Sequence, residues 1–244
     1  MTRHPLAVAV SVATLGLAAC GDDGPTATFD SPNDGAAVAG GVALAMSAEG
    51  VTIEPAGEVR NGFGHFHVIA DAGCETTGTG IGKDADHLHF GGGQAAGTIY
   101  LEPGQHELCL QVGDGVHAAL DITDTVTVDV GVTSQEQWCA VLREIDAMFE
   151  TTDSSSDVVA QQLGYENIRR LVAQAADGLE YVDASARNDV TRTIEFAATL
   201  TSVLATAESE EAAEEELEAL FADVGDEPLP GADWVLATCG IDIG

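Results

Sequence analysis

Hydrophobic and polar positions follow two rhythms along this chain, and the rhythm changes near Val132. Upstream, Thr98 to Leu101, His106 to Val112 and Thr125 to Val130 alternate with period two, while Val42 to Met46 alternates large with small side chains. A period of two marks strands, because successive side chains point to opposite faces. Asn33-Asp34-Gly35, Pro103-Gly104 and Gly113-Asp114-Gly115 supply turns between them. Short strands with no helical run between them predict an immunoglobulin-like antiparallel β-sandwich over residues 27–132.

Downstream the period becomes helical. Ser134-Gln135-Glu136-Gln137 reads as a capping box, and Trp138, Val141, Leu142, Ile145, Met148 and Phe149 then line one face. A second helix is predicted within Asp157 to Asp177, broken near Gly164 and stopped at Gly178. Asn188 is expected to cap a third, with Val190, Ile194, Ala197, Leu200 and Leu204 on one side. The acidic run from Glu208 to Glu218, with Leu217, Leu220 and Phe221, reads as a helix with a solvated face. Asp233 to Thr238 makes a last short helix before Gly240. Residues 133–244 therefore read as an all-helical bundle, and the fold class as α+β in two domains.

The beginning of the chain changes the picture. Met1 to Pro5 carries Arg3, Leu6 to Leu17 is a short apolar run, and Leu17-Ala18-Ala19-Cys20 follows. The run is shorter than the roughly 20 residues that a membrane-spanning helix needs. Its layout is that of an export signal over residues 1–19. Leu-Ala-Ala-Cys resembles the bacterial lipobox, which implies lipidation of Cys20 and an extracytoplasmic protein anchored to the cell membrane, with residues 20–26 as a tether. Acidic residues number 41 against 8 lysines and arginines, for a net charge of −33. Such a charge repels nucleic acid and favours solubility. No Asp-x-Asp-x-Asp-Gly loop for calcium is present.

With Cys20 assigned to lipid, Cys74, Cys109, Cys139 and Cys239 remain, and four cysteines allow three connectivities. Two fall in each half, so the economical pairing is Cys74 with Cys109 and Cys139 with Cys239. Leu108 and Leu110 alternate with Cys109, which places Cys109 on the face away from the main core, as a bridge to an outer loop requires. No Cys-x-x-Cys spacing points to a thiolate metal site.

Histidine carries the chemical signal. Six of the seven histidines lie between His65 and His117, and the seventh is His4. His65-Phe66-His67 and His87-Leu88-His89 each place two imidazoles on one strand face. Two such pairs on neighbouring strands bring four rings together, and His106 and His117, flanking the next strand, are expected to join them as ligands. Neutral imidazole is the commonest metal ligand and suits zinc or copper. Asp71, Asp84, Asp86, Glu107 and Asp114 are candidate orienting or additional ligands. The competing account is that the histidines support loops around Gly91-Gly92-Gly93-Gln94, with Gln94 as a hydrogen-bonding anchor. That segment is no phosphate loop, since no Lys-Ser/Thr follows it, and no Gly-x-Ser-x-Gly nucleophile elbow occurs.

Phe29-Asp-Ser-Pro-Asn-Asp-Gly35, Gly64-His-Phe-His67, His89-Phe-Gly-Gly-Gly-Gln94, Pro103-Gly-Gln-His106 and Gly113-Asp114 with His117 together resemble the bacterial family known as domain of unknown function 4399, over about residues 27–132. The resemblance implies an exported domain and names no reaction. The chain departs from the family's usual pattern at Phe66, where a run of histidines is common. It departs again after His117, where Ala118-Ala119-Leu120-Asp121 replaces a proline-rich stretch. The helical half more loosely resembles actinobacterial secreted modules with an early cysteine and a terminal Cys-Gly, here Cys139 and Cys239-Gly240. The resulting expectation is a cell-surface lipoprotein that binds a divalent metal or small ligand, with an envelope protein as a further candidate partner. The alternatives are a purely structural envelope protein, or a metal-dependent hydrolase using Glu107 or Asp86 as base. An enzyme is the less favoured reading.

Overall fold

The computed structural model describes residues 24–207, 209–224 and 228–243. The expected signal segment with His4, the lipidation site Cys20 and most of the tether lie outside the described residues. Among the described residues, no helix is long and apolar enough to cross a membrane.

The fold is α+β, with nine strands followed by five α-helices among the described residues. The strands are β1 (Thr26–Ser31), β2 (Ala36–Val38), β3 (Val42–Glu49), β4 (Thr52–Ile53), β5 (Phe63–Ala70), β6 (His87–His89), β7 (Ala96–Ile99), β8 (Gly104–Gly113) and β9 (Ala119–Val130). One sheet has the order β1-β3-β7; the other runs β2-β9-β8-β5-β4, with β6 also on β5. Most pairs are antiparallel, but β2 joins β9 and β4 joins β5 in parallel. Alternation along β5 and β8 places Phe66, Val68, Ala70, Leu108, Leu110 and Val112 in the core that the two sheets share with Leu44, Met46 and Ile99.

The opposite faces of β5 and β8 carry the chemistry. There Ile69 and Cys109 pack with Ile81 and Ala119 beneath the segment that follows β5. A disulfide joins Cys109 to Cys74 of this segment. Gln111, also fully buried, accepts from the Glu75 N–H and donates to the carbonyls of Glu75 and Leu120. The covering segment is thereby fixed at Cys74 and Glu75, as the outward-facing Cys109 required.

The helices are α1 (Gln135–Asp153), α2 (Val158–Asp177), α3 (Arg187–Thr206), α4 (Glu210–Val224) and α5 (Ala232–Cys239). The Ser134 hydroxyl caps α1 through the Gln137 N–H, as expected, but the Gln137 side chain reaches back to the N–H and hydroxyl of Thr133. Gly164 does not break α2. A Cβ at that position would sit 2.4 Å from the Thr152 hydroxyl oxygen, so glycine is where α2 approaches the end of α1. Asn188 does not cap α3, which has already begun at Arg187; the Asp183 carbonyl accepts the N–H groups of both Ala186 and Arg187 and turns the chain earlier. Cys139 and Cys239 are bridged, tying the first helix to the last.

Polar contacts join strands to helices. Buried Gln174 of α2 accepts from the Gly40 N–H and donates to the carbonyls of Gly40 and Leu101. Arg170, one turn earlier, binds the Tyr100 carbonyl at 2.8 Å and the Asp86 carboxylate at 2.9 Å.

Candidate metal centre

Strand register decides which histidines meet. Because β6 runs antiparallel to β5, His89 lies directly opposite His67, and His87 falls opposite Ile69. His65 is two positions along β5 and stands opposite Gly113 at the end of β8. The tight turn after Gly113 then brings in His117. Ring centroids of His65, His67, His89 and His117 are all mutually within 4.7–5.8 Å. Ligand nitrogens of His65, His67 and His89 lie within 4.8 Å of one another. Nε2 of His65 is 3.0 Å from Nε2 of His67, and Nε2 of His89 is 3.1 Å from Nε2 of His117. Imidazoles sharing a tetrahedral zinc at 2.0–2.1 Å would have nitrogens about 3.3 Å apart, so two edges are already close to coordination length.

The surroundings are shaped to this cluster. A Cβ on Gly91 would lie 2.1 Å from Cε1 of His89, and one on Gly113 would lie 2.9 Å from Nε2 of His67. Only glycine leaves room for these rings. In the glycine turn, Oε1 of Gln94 accepts from the Gly92 N–H at 2.9 Å. Asp114 acts through the backbone: its Oδ1 accepts from the N–H groups of Val116 and Ala118, both at 2.9 Å. Between them His117 adopts φ +69°, a left-handed conformation that non-glycine residues seldom take. Its carbonyl accepts from the Ile81 N–H of the covering segment. Such strain persists only where the surroundings enforce it.

His65 and His67 have no exposed surface, and both Nδ1 atoms lack a hydrogen-bond partner. For one Nε2 to donate to the other, the accepting ring must carry its proton on Nδ1, which leaves a buried donor unpaired. Burial holds His65 down to about 4 and His67 down to about 3, and repulsion from neighbouring imidazoles adds to this. His89 is lowered too, by burial first and then by His117 and Lys83. The rings are therefore neutral at ordinary pH, the state that offers lone pairs to a metal.

The structure does not bring His87 and His106 into this cluster. His106 falls at the far end of β8, opposite Val128. Its Nδ1 meets Asp71 at 2.6 Å and its Nε2 meets the Glu102 carbonyl at 2.8 Å, so both nitrogens are engaged. His87 pairs with Asp84 through Nδ1 at 2.8 Å. Burial alone would raise the Asp84 carboxyl, but the bonds from His87 and from the Asp86 N–H hold it below its ordinary value. Of the candidate bases, Asp86 is held by Arg170 and Glu107 is exposed on β8. Arg170, which holds the β6 segment against α2 through Asp86, and Gln174, which ties α2 to Gly40 and Leu101, gave no signal in the sequence beyond their place on a helix.

An α+β protein with a buried imidazole cluster on the outer face of one sheet is what these features define. Residues 44–131 match the family model described as Domain of unknown function (DUF4399), the family that the sequence motifs resemble. The matched stretch contains His65, His67, His89 and His117 and none of the α-helices. No curated protein matches the chain.

Proposed function

We propose that this protein is an exported, lipid-anchored binding protein that holds one divalent metal ion, zinc or copper, among His65, His67 and His89, with His117 alongside. The observation that carries this reading is the convergence of four imidazole rings from β5, β6 and the β8–β9 turn, two of them wholly buried. All-nitrogen ligation selects borderline metals over calcium or magnesium, which require oxygen. An ion accepting the Nε2 lone pairs of His65 and His67 relieves the nitrogen–nitrogen contact, and each Nδ1 then carries its proton. With His117 as a fourth ligand beside those three, no position would remain for activated water, which favours binding over hydrolysis.

The strand region, read as an immunoglobulin-like domain, is the metal-bearing unit, and the helical region a module that braces it. Lipid on Cys20 would hold both outside the cytoplasm, where the two disulfides persist. Elemental analysis of protein purified without an affinity tag tests the reading: one equivalent of zinc or copper per chain is expected. Protein that is metal-free as isolated, and that takes up neither ion stoichiometrically, refutes it. Release of a Cys20→Ser variant from the membrane fraction is the outcome that tests the anchor.

A further inference from the structure

His87 lies two positions from His89 on the same face of β6, about 6.6 Å away along the strand. Both rings line one opening of about 190 Å³ between β6 and α2, together with Lys83, Asp84, Leu163 and Asn167. His65 and His67 have no exposed surface, so an ion reaches them only past the half-buried members of the cluster. His87 stands at that approach.

Its ring is prepared as a ligand. Asp84 Oδ1 takes Nδ1 of His87 at 2.8 Å and also accepts from the backbone N–H groups of Asp86 and His87, both at 2.9 Å. An ionised carboxylate only accepts, so the ring proton sits on Nδ1 and the Nε2 lone pair is left available. Among the described residues, Nε2 of His87 makes no hydrogen bond. His106 has the same carboxylate backing from Asp71, but its second nitrogen is taken by Glu102. The segment bearing Asp84 and His87 is in turn braced by α2, where Arg170 grips the Asp86 carboxylate.

We infer that His87, oriented by Asp84, is the landing ligand through which a divalent metal ion enters the cluster. This rests on the metal-site reading above and adds a second, transient station to it. The ion exchanges a water for Nε2 of His87, and that bond breaks as the bond to Nε2 of His89 forms. The ion then moves inward to His65 and His67. No electron moves; the ring of the His65–His67 pair whose proton sat on Nε2 gives it up there and takes one on Nδ1, so the ring's net charge is unchanged as its Nε2 lone pair goes to the ion.

Copper(II) is the probe, since it binds imidazole sites most strongly among the common divalent ions. Its uptake by the full folded protein is followed by visible absorption in a stopped-flow instrument. His87→Ala is expected to slow uptake at least tenfold while the protein still binds one equivalent; Asp84→Asn slows it less, and His106→Ala leaves it unchanged. His87→Gln, which keeps a polar side chain of similar bulk, is expected to be as slow as His87→Ala, and circular dichroism checks that both fold. Uptake by His87→Ala at the wild-type rate overturns the inference. Loss of the bound equivalent in that folded variant also overturns it, because His87 would then be a resident ligand. Wild-type protein that takes up no copper(II) overturns the metal-site reading itself, which is a different result from either.

Discussion

Gln174 in the helical region and His67 in the strand region are both polar side chains with no exposed surface, yet their surroundings treat them in opposite ways. Every polar atom of the Gln174 amide is used: its oxygen accepts from Gly40, and its nitrogen donates to Gly40 and Leu101. His67 touches His65 through Nε2 and leaves Nδ1 with nothing. A satisfied buried amide contributes stability and ties α2 to the strands. An unsatisfied buried imidazole costs stability, and chains keep such groups for chemistry. The same contrast separates Gln111, with its bonds to Glu75 and Leu120, from the two histidines opposite and beside it on β5.

Exchanging each residue for an apolar one of similar bulk is the strongest way to break that contrast. His67→Leu is expected to abolish stoichiometric metal binding while leaving the metal-free protein as stable as wild type or more so, read by elemental analysis and thermal melting. Gln174→Leu should do the reverse: it strands the Gly40 N–H and two carbonyls, costs about 3 kcal/mol or more, and leaves the metal equivalent in place. A Gln174→Leu protein as stable as wild type would remove the distinction between the two sites.

Acidification sharpens the comparison. The folded-state values of His65 and His67, about 4 and about 3, lie below the ordinary value of 6.5. The unfolded chain therefore takes up protons first. Stability is full above pH 6.5 and falls between there and pH 4, on the order of 1 kcal/mol per pH unit for each buried ring. Denaturant titrations of metal-free protein should show this slope, and His67→Leu should lose part of it. The smallest effect is expected from Gly91→Ala, which pushes the His89 ring aside and should weaken metal affinity about tenfold, or about 1.4 kcal/mol, with little change in the melting of the metal-free protein. Unchanged affinity would remove His89 from the ligand set.

Much of this arrangement was legible in the residues because it depends on local rules. Alternation along His106 to Val112 placed Cys109 on the outer face, and the bridge to Cys74 follows from that face. Equal division of the remaining cysteines gave both pairings that are found. The two His-x-His pairs pointed to the right faces of β5 and β6. What they lacked was register: nothing local says that β6 pairs His89, and not His87, with His67, and a slide of two residues would exchange them. His117 and His106 were equal candidates in the sequence, since the entry of His117 depends on Gly113, Asp114 and the Ile81 backbone acting together. The unbroken α2 at Gly164 shows a tertiary approach overriding a propensity signal, and the early start of α3 shows the Asp183 carbonyl turning the chain before Asn188 can cap it.

The Cys74–Cys109 bridge limits how far the cover over the cluster can lift. The segment it fastens supplies the Ile81 N–H that holds the His117 carbonyl, and it roofs the face on which His65 and His67 lie. Without that covalent tie, the cover would be kept down by hydrogen bonds that can open one at a time, those of Gln111 with Glu75 and of Ala119 with Gly78 and Thr79.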